Sequence, residues 1–279
     1  MRRLQIVSIF IVSGCVMCPA FGQSDVIKPG EERFSFVLGT FLPAFKSEVK
    51  IDNPTLGSGS NVNLRDDLGV ERHDTAIWTG AEWRFAPNHR IGINYSRFKL
   101  TGTRTATRQI QIGDEIYPAG ATLSSEFKVQ VIPITYSYSL IKRESDELAA
   151  TIGIHWSRLS FKSHGSASLS GLDAGTDVSA KADAPLPLIG LRYDHHFSPR
   201  WSAGVQGAFF SMRYGKDTTN VEGDVWSARV EAEYRFSRHW GVGAAIDSFR
   251  IDVEASSGSW QGGFNYQYWG PQLYLKARF

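Results

Sequence analysis

Few side chains in this sequence have the types and spacing that chemistry needs. His155 and Ser157 stand two residues apart, and Asp247 lies further along the chain. A serine, a histidine and a carboxylate make a hydrolytic relay when a fold brings them within hydrogen-bond reach beside an oxyanion site. Local alternation puts His155 and Asp247 on the polar side of their segments, but those segments are not expected to be neighbours, so no relay is predicted. Asp194-His195-His196 offers two imidazoles. Adjacent residues of a strand point to opposite faces, which keeps the two histidines from sharing one metal ion. Asp66, Asp67, Glu71, His73 and Asp74, interrupted by Arg65 and Arg72, carry oxygen ligands that suit calcium without the order of an EF-hand loop. That stretch reads as a solvated loop. Gly241-Val242-Gly243 lies inside a strand pattern and lacks the third glycine of a dinucleotide fingerprint. No catalytic residue, metal site or cofactor is assigned.

The charged residues form columns. Trp226, Ala228, Val230, Ala232, Tyr234 and Phe236 occupy one parity, and Arg229, Glu231, Glu233 and Arg235 occupy the other. Strict alternation of this kind marks a strand with one apolar and one wet face. Glu82 and Arg84 make a second polar column, and Lys276 and Arg278 a third. Gly241, Gly243 and Ala245, between the first and third columns, leave space for long side chains from both sides. If the columns face a narrow interior, opposite charges should pair there, because an unpaired charge away from water is costly.

The period-two pattern sets ten candidate strands: 32–46, 75–86, 90–101, 126–141, 148–162, 185–197, 201–214, 224–236, 240–253 and 264–279. Tight connections follow every second strand, at Ala86-Pro87-Asn88-His89, 142–147, Ser198-Pro199-Arg200 and Ser237-Arg238-His239. The alternate connections are longer and polar, at 47–74, 101–125, 163–184, 215–223 and 254–263. This is the rhythm of an up-and-down barrel whose two ends face different compartments. Phenylalanines thirteen residues apart flank three of the tight turns: Phe85 and Phe98, Phe197 and Phe210, Phe236 and Phe249. Just before the second phenylalanine the apolar parity switches, from Ile91, Ile93 and Tyr95 to Phe98 and Leu100, and from Val242, Ala244 and Ile246 to Phe249 and Ile251. Either a β-bulge at similar height in several strands or relaxed alternation where strands leave a bilayer would produce the switch.

A soluble barrel also alternates, with its apolar face inward. A membrane barrel is favoured by Trp226 and Phe236, which bracket one apolar face ten residues apart. At about 3.3 Å per residue and the usual tilt, ten residues climb about 25 Å, the height of the apolar band between aromatic girdles. No apolar run outside the N-terminal segment approaches the length of a membrane helix.

Composition agrees with export. The chain has 279 residues, of which 30 are Lys or Arg and 28 are Asp or Glu. Arg2 and Arg3, an apolar stretch from Ile6 to Val12, and small residues up to Ala20-Phe21-Gly22 have the layout of a secretory signal. Val12-Ser13-Gly14-Cys15 offers lipoprotein processing as the alternative. Without residues 1–22 the chain carries equal numbers of basic and acidic side chains and neither of its two cysteines, Cys15 and Cys18. Disulfides and thiol chemistry are thereby excluded from the expected mature chain, and no nucleic-acid partner is expected.

The ending LYLKARF, with Leu273, Leu275, Ala277 and the terminal Phe279 on one parity, resembles the C-terminal assembly signal of Gram-negative outer-membrane barrels. The opening strand FSFVLGTFLPAF and the Asp66-Asp67-Leu68-Gly69 stretch are similar to a broad set of uncharacterised barrels of this size. The resemblance implies insertion into the outer membrane by the barrel-assembly machinery through the last strand, with outer-membrane lipid around the wall. The expected fold is all-β: an up-and-down antiparallel transmembrane β-barrel of about ten strands, with short periplasmic turns and long extracellular loops. Residues 1–22 are read as signal, 23–31 as a short periplasmic segment and 32–279 as barrel. The expected function is non-enzymatic: surface structure, binding of an extracellular ligand through the loops, or slow passage of small solutes through a charge-filled lumen. The alternatives are an ion- or solute-selective channel and a barrel hydrolase acting on lipid or peptide at the outer rim.

Overall fold

The computed structural model describes residues 32–52, 61–63, 66–70, 75–112, 115–169, 172–216, 219–257 and 260–279. The signal segment 1–22, the segment 23–31 and the loop residues Glu71, His73 and Asp74 lie outside the described residues. The strands are β1 (Phe34–Phe41), β2 (Ala44–Asp52), β3 (Asn61–Asn63), β4 (Ala76–Ala86), β5 (His89–Thr105), β6 (Ile110–Ile112) and β7 (Glu115–Tyr117). They continue with β8 (Thr122–Lys142), β9 (Asp146–Leu169), β10 (Leu172–His196), β11 (Trp201–Lys216), β12 (Thr219–Arg235), β13 (Trp240–Ser257) and β14 (Trp260–Arg278).

Ten walls close into a ring in the order β1, β4, β5, β8, β9, β10, β11, β12, β13, β14, with β14 pairing back to β1. Every ladder is antiparallel. Closure places the two termini of the ring side by side. The backbone N–H groups of Arg33 and Phe34 donate to the Phe279 carbonyl, and the Phe279 N–H donates to the Phe34 carbonyl at 2.8 Å. The Phe279 ring stacks on His239 at 5.4 Å. The first wall is broken at Leu42-Pro43: β1 pairs with both β14 and β4, whereas β2 continues upward on β14 alone among the ten walls. At the break a Cβ on Gly270 would stand 2.3 Å from the Leu42 carbonyl oxygen, so only glycine admits the bent chain there.

The lipid-facing surface is the apolar parity read from the sequence. Val230 and Ile246 are 58% and 56% exposed on the outer face of the wall, where hydrocarbon and not protein covers them. Of the two causes expected for the parity switch, the β-bulge is absent, and the switch falls where the outward face of the strand turns from apolar to polar. The β12–β13 and β13–β14 ladders run without a register shift past Phe249, and among the described residues shifts occur only at Arg84/Ala86 and Ser139/Ile141, beside periplasmic turns. Backbone parity is constant, and the apolar side chains themselves change sides. Val242, Ala244 and Ile246 face lipid, whereas Phe249 and Ile251 are buried inside the barrel. Phe98 and Leu100 are likewise inside, above lipid-facing Ile91 and Ile93.

The upper part of the barrel therefore has a hydrophobic core. Phe41, Phe45, Phe98, Phe127, Phe249, Tyr266 and Tyr268 pack there with Val129 and Val131. Leu68, Val70 and Ile110 fill the mouth above them. Gly102 permits this filling, because a Cβ there would lie 2.3 Å from the Gly69 carbonyl oxygen, and Gly69 turns the chain at φ +69°. Several strands run further outward than alternation indicated: β10 begins at Leu172, not 185, and β9 ends at Leu169, not 162. The β6–β7 hairpin stands inside a stretch read as one long loop.

Deleting Phe279 removes three backbone hydrogen bonds and a ring contact at the point of closure. Heat-modifiable barrel in the outer-membrane fraction is expected to fall several-fold while export of the chain continues; a normal amount would show that closure does not depend on this residue.

Candidate functional site

The lower lumen is filled by side chains from opposite walls. Glu147 on β9 accepts hydrogen bonds from Arg84 on β4 and Arg90 on β5, each at 2.9 Å, and from the Ser139 hydroxyl. Glu82 on β4 pairs with Arg90 at 3.1 Å and reaches across the ring to Arg192 on β10 at 2.8 Å. Arg192 also holds Asp194 at 2.9 Å. On the other side, Glu233 on β12 meets Arg278 on β14, with Lys276 at 3.6 Å and Arg235 at 3.9 Å. Glu32 closes the floor between Arg278 and Arg235, at 3.6 and 3.8 Å. Only about 30 Å³ of space remains among these groups.

All eight charged residues singled out from the sequence line the lumen, and Lys276 and Arg278 meet Glu233 across the small residues of β13 as expected. Glu82 and Arg84 do not pair with each other; each finds its partner on another strand. Arg90, Glu147, Arg192, Asp194 and Glu32 were missed. Glu147 fell within a stretch read as a turn, and no periodicity in one strand reveals which residue faces it from the opposite wall. The small residues of β13 act as proposed for them: a Cβ on Gly243 would stand 2.3 Å from Tyr274 Cζ, and Gly241 lies beneath Glu233 and Arg278.

A second cluster surrounds Arg229. Its guanidinium donates to Asp247 and to Gln272, each at 2.7 Å, and pairs with Glu231 at 2.9 Å. It lies over the Trp78 ring at 4.8 Å, and the Tyr274 hydroxyl donates to Glu231 at 3.2 Å. Between this cluster and the aromatic core lies a chamber of about 220 Å³. Asn94, Thr135 and Thr151 line one side of it, Gln206 and Ser227 another, and Phe41, Phe249 and Tyr268 bound it toward the core.

His155 and Asp247 both border this chamber, although their strands are not adjacent; the lumen is narrow enough for β9 to touch β13 across it. His155 stacks on Phe249 at 3.9 Å and 13°. No hydrolytic relay forms among them. The His155 Nε2 and Ser157 Oγ atoms are buried without hydrogen-bond partners, and Asp247 is committed to Arg229. His195 faces outward to Asp146 at 2.8 Å, while His196 lines the lumen beside Arg235. Asp67 pairs with Arg108 at 2.9 Å. No cluster of three metal-ligating side chains occurs among the described residues. Outside the membrane band, the Lys128 and Lys99 ammonium groups hydrogen-bonded to Glu126 hold its carboxyl down at about 2.

A closed ring of ten antiparallel walls, apolar toward lipid and charged within, decides the fold. It is a transmembrane β-barrel of the Gram-negative outer-membrane type. The crystal structure of the outer-membrane protease OmpT from Escherichia coli matches with a TM-score of 0.59 at 12% identity, covering 88% of this chain and 97% of that one. The toluene transporter TodX from Pseudomonas putida matches at 0.36 and 10% identity, over 91% and 93%. The attachment protein Ail of Yersinia pestis matches at 0.31 and 11% identity, over 89% and 99%. No protein-family model and no curated protein matches the sequence.

Two substitutions probe the packing of the barrel interior. Glu147→Gln leaves Arg84 and Arg90 without the carboxylate they share, and is expected to cost about 3–5 kcal/mol, the usual loss on breaking a buried pair. Gly243→Val drives a side chain into Tyr274 and is expected to cost about 1–3 kcal/mol. Both would appear as lower urea midpoints of the refolded barrel in detergent; unchanged midpoints would mean that these contacts do not hold the interior together.

Proposed function

We propose that the protein is a non-catalytic outer-membrane barrel that takes up a small polar solute in its lumen and passes it slowly, closed at rest by two internal seals. The observation that carries this reading is the chamber of about 220 Å³ between the ion-paired floor and the aromatic core, where amides and hydroxyls stand among apolar and ion-paired side chains. A purely structural barrel would have no need of a polar cavity at mid-height. The Glu82–Arg192 pair suits a seal that can open, because both side chains keep contact with water, which limits the cost of parting them.

Catalysis has less support. OmpT is a protease by name, but likeness at 12% identity concerns the course of the backbone. The relay that His155, Ser157 and Asp247 would need is not formed. The proposal includes delivery to the outer membrane by the barrel-assembly machinery, acting on the last strand with Leu273, Leu275 and Phe279 toward lipid and Ala277 covered between Phe36 and Trp240, and long extracellular walls free to meet a ligand.

Single-channel recording in planar bilayers tests the reading. The wild-type barrel should be closed for most of the record, with brief small openings. The Glu82→Gln/Arg192→Gln variant, which removes the cross-lumen pair, should raise the open fraction by about tenfold. A correctly folded variant as silent as the wild type would overturn passage through the lumen.

A further inference from the structure

The wall between β10 and β11 is joined over only part of its height. Its ladder starts at His196↔Ser202 and ends at Ile189↔Phe209. Both strands continue well beyond that point, β10 back to Leu172 and β11 on to Lys216. On their other sides they stay paired, β10 with β9 as far as Leu172↔Leu169 and β11 with β12 as far as Lys216↔Thr219. The wall therefore divides above Ile189 and Phe209, leaving two strand edges without a shared ladder.

An unpaired edge invites pairing, and this one is protected against it. The His196 N–H donates to the Ser145 carbonyl, on the β9 side. Backbone groups of an antiparallel strand alternate between its two neighbours, so even positions of β10 bond toward β9 and odd positions face β11. Pro185 and Pro187 hold odd positions, where the open edge would otherwise present N–H donors. Two prolines at successive edge positions keep the split from zipping shut.

The split also has an apolar lining and a destination. Leu186 and Leu188 on β10 face the lumen and pack against the apolar core. Phe210 and Met212 on β11 share the lumen-facing parity, and Met212 is nevertheless 45% exposed. Ile189 and Phe209, at the foot of the split, face outward within the lipid belt. Leu188, Gln206 and Ala208, also at its foot, border the polar chamber.

We propose that this split is a lateral portal that admits a single-chain amphiphile from the outer leaflet, its alkyl chain between Leu186/Leu188 and Phe210/Met212 and its head group in the chamber. The head group is small and uncharged. The chamber's charged groups are already committed to partners, Arg229 with Glu231 and Asp247, Glu82 with Arg192 and Lys276 with Glu233 at the floor, leaving Gln206, Ser227 and the threonines as partners. A chamber of about 220 Å³ has room for a glycerol-sized head group. The proposal shares the chamber with the reading above but does not need the ion-paired floor to open, so lateral entry and conduction can fail independently.

The test uses barrel purified from outer membranes and placed in phosphatidylcholine nanodiscs with a monoacylglycerol bearing a diazirine near the end of its chain. After irradiation, peptide mass spectrometry should find adducts at lumen-facing Leu186 and Met212 as well as at lipid-facing Ile189 and Phe209. The Leu188→Cys/Phe210→Cys variant places a disulfide across the split at the next position of the interrupted ladder. Oxidation should lower the Leu186 and Met212 adducts by about tenfold, reversibly with reductant, and leave the outward adducts unchanged. Leu186→Lys, which closes the slot to hydrocarbon without thiol chemistry, should lower the Met212 adduct similarly and decides the matter if the disulfide does not form. Adducts confined to outward residues, or lumen adducts untouched by closure, would overturn the portal. Equal lumen labelling by a diazirine phosphatidylcholine would overturn the single-chain occupant.

Discussion

A ring of ten walls is narrow enough for side chains from opposite sides to touch, and the rest of the structure depends on that closeness. A charge entering such a lumen loses most of its water and must find an opposite charge across the gap. Glu82 does so with Arg192 from the far side, and Glu147 serves two arginines at once. The consequence is a sheet tied together through its interior as well as along its backbone. Where long side chains cross, the facing wall must give way, and the glycines of β13 provide the room.

Above the ion pairs the same narrowness has the opposite outcome. The lumen there is apolar and aromatic, packed as in a soluble protein, while the outer surface turns polar with Arg250, Asp252 and Glu254. The molecule resembles two barrels of opposite solvent preference built on one set of strands. The polar chamber lies at their junction, where neither packing scheme fills the space.

Much of this was legible in the chain. Alternation from Trp226 to Phe236 located a wall with its lipid and lumen faces correctly, and the tight turns at Pro87, Pro199 and Arg238 placed the end that carries both termini. Two kinds of information were not available to a strand read alone. The upper parts of β9 and β10 are rich in Ser, Ala and Gly and show no apolar alternation, so they read as loops. The partners of Arg84 and Glu82 depend on which walls face each other, a property of ring closure and register. His155 illustrates the same limit: its parity was right, yet its contact with Phe249 crosses the lumen between strands that never pair.

The change of apolar side gives the barrel a depth gauge. On β13 the outward run Val242, Ala244, Ile246 is followed two turns of the pleat later by Arg250 and Asp252. Sinking the barrel toward the periplasm would draw these charges into hydrocarbon, where an arginine costs up to about 2–4 kcal/mol near the midplane. Raising it would lift Ile246 out of the lipid into water and draw the periplasmic turn at Ser237-Arg238-His239 toward hydrocarbon. Because neighbouring walls repeat the changeover, the vertical position of the molecule is written into every strand that carries it, and the foot of the β10–β11 split is held at a fixed level in the outer leaflet whatever the lipid around it does.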